Sequence, residues 1–294
     1  MATRRAASIG PTLHRTAAPA KSPSPLLAYV LHRYDWSETS LIVELFTRAQ
    51  GRVVVAAKGA KRPTSQLRPV LLPFQPILAL LGKAPKDDEA EVRTLRGAEW
   101  VGGAPLMDAS AMLCGFYLNE LLLKLLARQD PHPALFDAYA DTVSALARHE
   151  DEARSLRAFE LVLLREMGVL PELNLATLTT QPLQPQERYA LHAEAGLVQR
   201  AQGPFGLPGS TWVALEAALQ QAAQHGDWAA LRLHCAHGGP ADRASLQDGL
   251  RGLLHYHLGH DRLRTRQVWR GVQRLAETAA TSVADSAVHE SQPT

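Results

Sequence analysis

From Leu26 to about Trp100 the apolar residues recur with a period near two, the spacing of strands with one buried face. Leu27, Tyr29 and Leu31 alternate with Ala28, Val30 and His32. Thr39 to Thr47 (TSLIVELFT) forms a second run, and Gly51 to Ala57 (GRVVVAA) a third, rich in β-branched valine. Val70 to Leu81 is a fourth, bent or split by its prolines, and Glu89 to Trp100 a fifth. Arg48-Ala49-Gln50-Gly51 reads as a hairpin turn in which Gly51 takes a positive φ. About five short strands in about 75 residues suit an OB-fold, which binds single strands across an open face.

After Pro105 the period changes to that of helices. Asp108 is placed to cap a helix running to about Arg128, with Leu113, Tyr117, Leu121 and Leu125 on one face. Further helices are predicted over Ala134–Arg148 and Glu152–Met167, the latter ended by Gly168 and Pro171. Leu173 to Pro208 is rich in Pro and Gly, with a short hairpin expected near Gly196. Helices resume over Ser210–Gln224, Trp228–Ala236, Asp242–Leu258 and Thr265–Glu277. The expected fold class is α+β, an N-terminal OB-fold β-barrel followed by a mainly α-helical domain. The expected division is a disordered basic tail over 1–25, the barrel over 26–104, the helical domain over 105–278 and a flexible tail over 279–294.

The chain has 294 residues, 46% hydrophobic and 20% charged, an ordinary globular composition with room for about two domains. No apolar run reaches the roughly 18 residues of a membrane span. Met1 to Pro25 has no acidic residue and lacks the hydrophobic centre of a secretory signal. Its composition also allows a transit peptide, but a basic tail with too little apolar surface to order itself is the preferred reading. Cys114 and Cys235 have no partner cysteine at metal-ligand spacing and read as reduced thiols of a cytoplasmic protein.

Charge changes the picture more than composition does. The net charge is only +2, yet no acidic residue lies between Leu45 and Lys86. That stretch holds Arg48, Arg52, Lys58, Lys61, Arg62, Arg68, Lys83 and Lys86, which points to an anionic partner, usually nucleic acid. Lys58-Gly59-Ala60-Lys61-Arg62 follows a strand, and Gly59 permits close backbone approach. Lys58, Lys61 and Arg62, with Arg52 and Arg68 nearby, can then neutralise phosphates. Arg33 and Tyr34, with Trp36, sit in a polar loop where a ring can stack on a base. Phe46 and Phe74 lie in apolar runs and read as core. A second basic cluster holds Arg251, Arg262, Arg264, Arg266, Arg270 and Arg274. A solvated helix face explains that cluster as well as a DNA contact does. His255, His257 and His260 lack a positioned carboxylate, so ordinary helix-end histidines are preferred over a metal site. No P-loop, nucleophile elbow or HExxH is present, which argues against catalysis.

Several stretches, in order, resemble the RecO family of bacterial recombination mediators. They are Arg33-Tyr34-Asp35-Trp36-Ser37-Glu38-Thr39-Ser40, Leu45-Phe46-Thr47 with Gly51, Ala57 to Arg62, and Leu72-Pro73-Phe74. The helical part adds Phe116 to Leu121, His132-Pro133 with Leu135-Phe136 and Tyr139, and Leu156-Arg157 with Phe159-Glu160. Tyr256 to Gly259 and Leu263 to Arg266 complete the set. The resemblance implies an OB-fold, binding of single- and double-stranded DNA, strand annealing, and placing of RecA on SSB-coated strands. It implies RecR and the acidic SSB tail as partners, no catalytic residue and a cytoplasmic, nucleoid-associated location. Some members carry a four-cysteine zinc module in the second domain. The matching stretch, Tyr189 to Ala201, has no cysteine, so no metal or other cofactor is expected. Two other classes stay open on the residues alone: a scaffold whose barrel binds peptide or RNA, and a hydrolase built on the three histidines.

Overall fold

A computed structural model describes residues 24–83, 92–102, 106–200, 205–259, 263–265 and 268. The expected basic tail before residue 24, most of the expected last helix and the C-terminal tail lie outside the described residues.

The first domain is a closed barrel with the strand order β1-β2-β3-β5-β4. Its strands are β1 (Leu26–Asp35), β2 (Leu41–Thr47), β3 (Gly51–Ala57), β4 (Pro76–Leu81) and β5 (Val92–Trp100). Every pairing is antiparallel except that of β3 with β5. Alternation fills the interior with Ala28, Val30, Val43, Leu45, Val53, Val55, Ile77 and Leu95. The expected fourth strand is shorter than its apolar run. Residues 70–75 are irregular apart from a single bridge of Pro73 to Val30, and Phe74 takes φ 65°, so the strand itself begins only at Pro76.

Helices α1 (Ala109–Leu125), α2 (Pro133–Ala147) and α3 (Glu152–Glu166) follow. Asp108 accepts the Ala111 amide at 2.8 Å, the expected cap. Helix α1 stops short of Arg128 because the chain turns to run beside β3, where the Gln129 amide donates to the Arg52 carbonyl at 2.8 Å. The Pro- and Gly-rich segment forms two small sheets, β6 (Leu175–Ala176) with β7 (Gln181–Pro182), and β8 (Arg188–His192) between β9 (Gly196–Gln199) and β10 (Leu207–Pro208). Helices α4 (Gly209–His225), α5 (Trp228–Cys235) and α6 (Pro240–Leu258) close the domain.

One apolar cluster joins barrel and helices. Tyr29, Leu31, Phe46 and Phe74 leave the barrel's outer face and enter the helical core. Tyr29 and Phe46 pack in tilted contact against Phe136, with ring centroids 5.6 and 5.4 Å apart.

Gly51 serves both the hairpin and this joint. Its φ is +64°, and a Cβ there would lie 1.9 Å from the Asp130 carbonyl oxygen. Gly59 has φ +72°, but its Cβ would meet nothing closer than Arg62 at 3.7 Å. Gly59→Ala therefore carries only the left-handed cost of about 1 kcal/mol. Gly51→Ala also forces the 130 backbone away and is expected to cost about 3 kcal/mol. Thermal melts of the two variants measure the difference, and equal losses would remove the clash argument.

Candidate nucleic-acid interface

The candidate site depends on one extra residue in β1. Val30 pairs with Leu45 and His32 with Glu44, so Leu31 is a bulge without a partner on β2. Past the bulge the parity of the strand changes. Arg33 pairs with the interior residue Val43, and Asp35 with Leu41. Arg33 and Asp35 thus turn toward the barrel's end, while His32 and Tyr34 face outward. Leu31 itself is buried, and its carbonyl accepts the Asn119 side-chain amide at 3.0 Å.

Arg33 and Asp35 line a cleft of about 490 Å³ together with Leu41, Ala60, Lys61, Arg68 and Leu71. The Arg33 guanidinium donates to the Leu71 carbonyl at 3.0 Å. The Lys61 ammonium lies 3.2 Å from the Asp35 carboxylate and donates to the Ser37 carbonyl at 3.1 Å. The Lys61 amide reaches the Thr39 carbonyl at 2.9 Å, and the Gly59 amide reaches Ser40 Oγ at 3.3 Å. These bonds clamp the turn after β3 onto the loop between β1 and β2. The cleft offers cationic, exposed donors fixed by backbone carbonyls, a setting suited to phosphate oxygens.

The other sequence candidates divide by place. Lys58 and Arg62 are exposed on the same turn, beside the cleft. Tyr34 and Trp36 are exposed, 47% and 57%, but Tyr34 faces away from Arg33 and rests against His32, with ring centroids 4.4 Å apart. Phe46 and Phe74 are buried, as expected of core. Arg52 is a correction. It pairs with Phe46 on the barrel's outer face, toward the helices. There its guanidinium sits 3.6 Å from Glu44 and donates to the Leu123 carbonyl, with only 11% of the side chain exposed. Arg128 completes the interdomain group, 2.8 Å from Glu44. Arg52 therefore holds domains together and does not face DNA. Arg264 is exposed, its amide bonded to Glu120 of α1, and is not among the residues lining the cleft; Arg266 lies outside the described residues.

A second cavity of about 660 Å³ lies among α1, α3 and α6. Leu113, Tyr117, Leu156, Leu254 and Leu263 supply apolar walls, and Arg154, Arg157, Arg243 and Arg251 supply charge. Glu160, 1% exposed, accepts from the Tyr117 hydroxyl and from Arg157, each at 2.6 Å. At the rim, Glu120 accepts the Arg264 amide at 2.7 Å and the Thr265 amide at 2.9 Å. Burial raises the Glu120 carboxyl, but the Thr265 and Arg264 bonds, with Lys124 nearby, outweigh it and hold the group below the usual carboxylate range. Burial pushes the thiols of Cys114 and Cys235 in the cavity wall up to about 12, which keeps them protonated at neutral pH.

Comparison with known proteins decides the family. The model described as recombination protein O N terminal matches residues 26–103, and that described as recombination protein O C terminal matches residues 106–267. A DNA repair protein RecO of Variovorax paradoxus is 50% identical over 254 residues, covering 84% of this chain and 96% of its own. The protein of the same name from Delftia acidovorans is 50% identical over 261 residues, covering 88% of this chain and all (100%) of its own. The chain belongs to the RecO family. That membership supports a role in DNA repair and recombination. In this RecO-family chain the hairpin of β8 and β9 is held by packing: Tyr189, Leu191 and Leu197 enter the helical core, and the Trp212 indole donates to the Tyr189 carbonyl at 3.0 Å. With no cysteine between residues 189 and 201, the stretch does not fit a four-cysteine zinc module.

Sequence reasoning gave no role to Asp35, Asn119 or Glu120, nor, among the second cavity's arginines, to any but Arg251 of the C-terminal basic cluster. Asp35 stands in the family-like stretch Arg33 to Ser40, but nothing in the sequence reveals the bulge that turns it toward the cleft. The cavity is assembled from segments far apart in the chain, so no local pattern announces it.

Proposed function

We propose that this RecO-family protein is a non-catalytic mediator that binds single- and double-stranded DNA and anneals complementary strands. The observation that carries the reading is the barrel-end cleft, where Arg33, Lys61 and Arg68 converge with Lys58 and Arg62 beside them. Two phosphate backbones repel one another. A surface that neutralises part of both lets complementary bases meet, and no bond in either strand is made or broken. Exposed Trp36, in the loop after Asp35, gives unpaired bases a stacking surface near the charge, while Tyr34 offers a second ring on the outward side of β1. Family resemblance adds RecR as the partner with which it places RecA on SSB-coated strands, in the cytoplasm at the nucleoid. The larger cavity supports contact with SSB: its apolar walls carry Arg154, Arg157, Arg243 and Arg251 against the acids Asp151, Glu152 and Glu160, an excess of positive charge that suits an acidic tail with an apolar end.

Annealing of complementary strands precoated with SSB, followed across a salt series, tests the reading. Acceleration that fades with salt is the expected result, reduced when the SSB lacks its acidic tail. No acceleration and no binding at low salt would overturn it in favour of a scaffold for peptide or RNA.

A further inference from the structure

Asp35 is out of place in a phosphate site. Among the residues lining the cleft, Arg33, Lys61 and Arg68 bring positive charge, and Asp35 alone brings a negative one. It does not arrive there by strand alternation from the start of β1. The Leu31 bulge turns it inward together with Arg33. Its carboxylate lies 3.2 Å from the Lys61 ammonium, and its side chain is 79% exposed against 33% for Lys61. The carboxylate therefore stands on the solvent side of the lysine, where an incoming phosphate would arrive. Lys61 does not depend on it for position, because the Thr39 and Ser37 carbonyls hold the lysine amide and ammonium.

We infer that Asp35 is an internal stand-in for a DNA phosphate, occupying Lys61 in the free protein and yielding it to the nucleic-acid backbone on binding. The inference rests on the proposed DNA-binding reading. Its physical content is a competition. A phosphate that takes Lys61 must approach Asp35, and like charges about 4 Å apart repel even in water. The carboxylate thus lowers affinity at low salt and removes about one effective cation from the site. A mediator that anneals strands must also release the product, and a built-in competing anion weakens its hold without loss of the binding geometry.

The test uses Asp35→Asn in the full chain, with a single-stranded oligonucleotide as probe across a salt series. Asp35→Asn is expected to bind about fivefold tighter at low salt. Its plot of log K against log salt should be steeper by about 0.7, the slope of one more neutralised phosphate on a single strand. The advantage should disappear at high salt. Asp35→Glu, which keeps the charge, should keep the shallower slope. Lys61→Gln should cost more in the Asp35→Asn background than alone. Equal or weaker binding by Asp35→Asn with an unchanged slope would overturn the inference and leave Asp35 a positioning residue. If the unaltered protein showed no salt-dependent binding, the underlying reading would fail instead. The high exposure of Asp35 keeps the fold out of the comparison, and matching melts of both variants confirm it.

Discussion

Changing Arg33, Lys61 and Arg68 together to glutamine is expected to weaken single-strand binding about 100-fold at low salt. Each is a charged donor at the edge of solvent, worth about 1 kcal/mol against a phosphate once screening is included. Three such contacts make about 3 kcal/mol, which is about 100-fold. The salt slope should fall by about 1.4, since each single-strand phosphate contributes about 0.7 and Asp35 already offsets one of the three cations. Annealing should fall with binding. Arg52→Gln provides the contrast. Its guanidinium is committed to Glu44 and the Leu123 carbonyl between the domains, so its loss should lower the melting temperature and leave the slope unchanged. A reduced slope for Arg52→Gln, or an undiminished one for the triple variant, would move the DNA contact out of the cleft. The three cleft residues come from different segments: Arg33 ends β1, while Lys61 and Arg68 lie in the turns between β3 and β4. They are brought together by the bonds of the Lys61 amide to the Thr39 carbonyl, of the Gly59 amide to Ser40 Oγ and of the Arg33 guanidinium to the Leu71 carbonyl.

The barrel was legible because valine-rich alternation and the turn at Gly51 are local signals. Strand β3 matches the run Gly51 to Ala57 that announces it. The Asp108 cap and the Gly196 hairpin are local in the same way. The basic loop was legible as charge, but charge alone does not say which way a side chain points. Arg52 and Lys58 look alike in the sequence. One is near the start of a strand whose outer face meets the helices, and the other follows the end of that strand in solvent. The bulge at Leu31 is the less readable case. Alternation continued from Leu27 through Tyr29 would put Arg33 on the outer face with Tyr29. A single residue reverses that, and its signal is spread over the β1–β2 register and a side chain on α1. Such long-range pairings have no local pattern to betray them.

That side chain sets the second large effect. Asn119, 2% exposed on α1, donates to the Leu31 carbonyl at 3.0 Å and accepts the Tyr139 hydroxyl at 2.6 Å. It thereby fastens the bulge of β1 to both α1 and α2. Burial pushes the Tyr139 phenol well above its ordinary value, so it remains a neutral donor. Asn119→Leu keeps the branched skeleton of the side chain, with two bulkier methyl groups, but leaves a buried carbonyl and a buried hydroxyl without this partner. Each such group costs about 1–3 kcal/mol, so the variant should lose roughly 3 kcal/mol and melt about 10 °C lower. Tyr139→Phe alone removes one donor and should cost about 1 kcal/mol. In the double variant the orphaned hydroxyl is gone, so the loss should be smaller than the sum of the two. Strict additivity in that cycle, or an unchanged melt for Asn119→Leu, would show that the bonds are not coupled. The salt slope of Asn119→Leu, measured well below its melting temperature, carries the functional half. A slope lower than that of the unaltered protein means that the helical domain aims Arg33 through the bulge. An unchanged slope means that strand pairing holds the bulge by itself, and that Asn119 contributes stability alone.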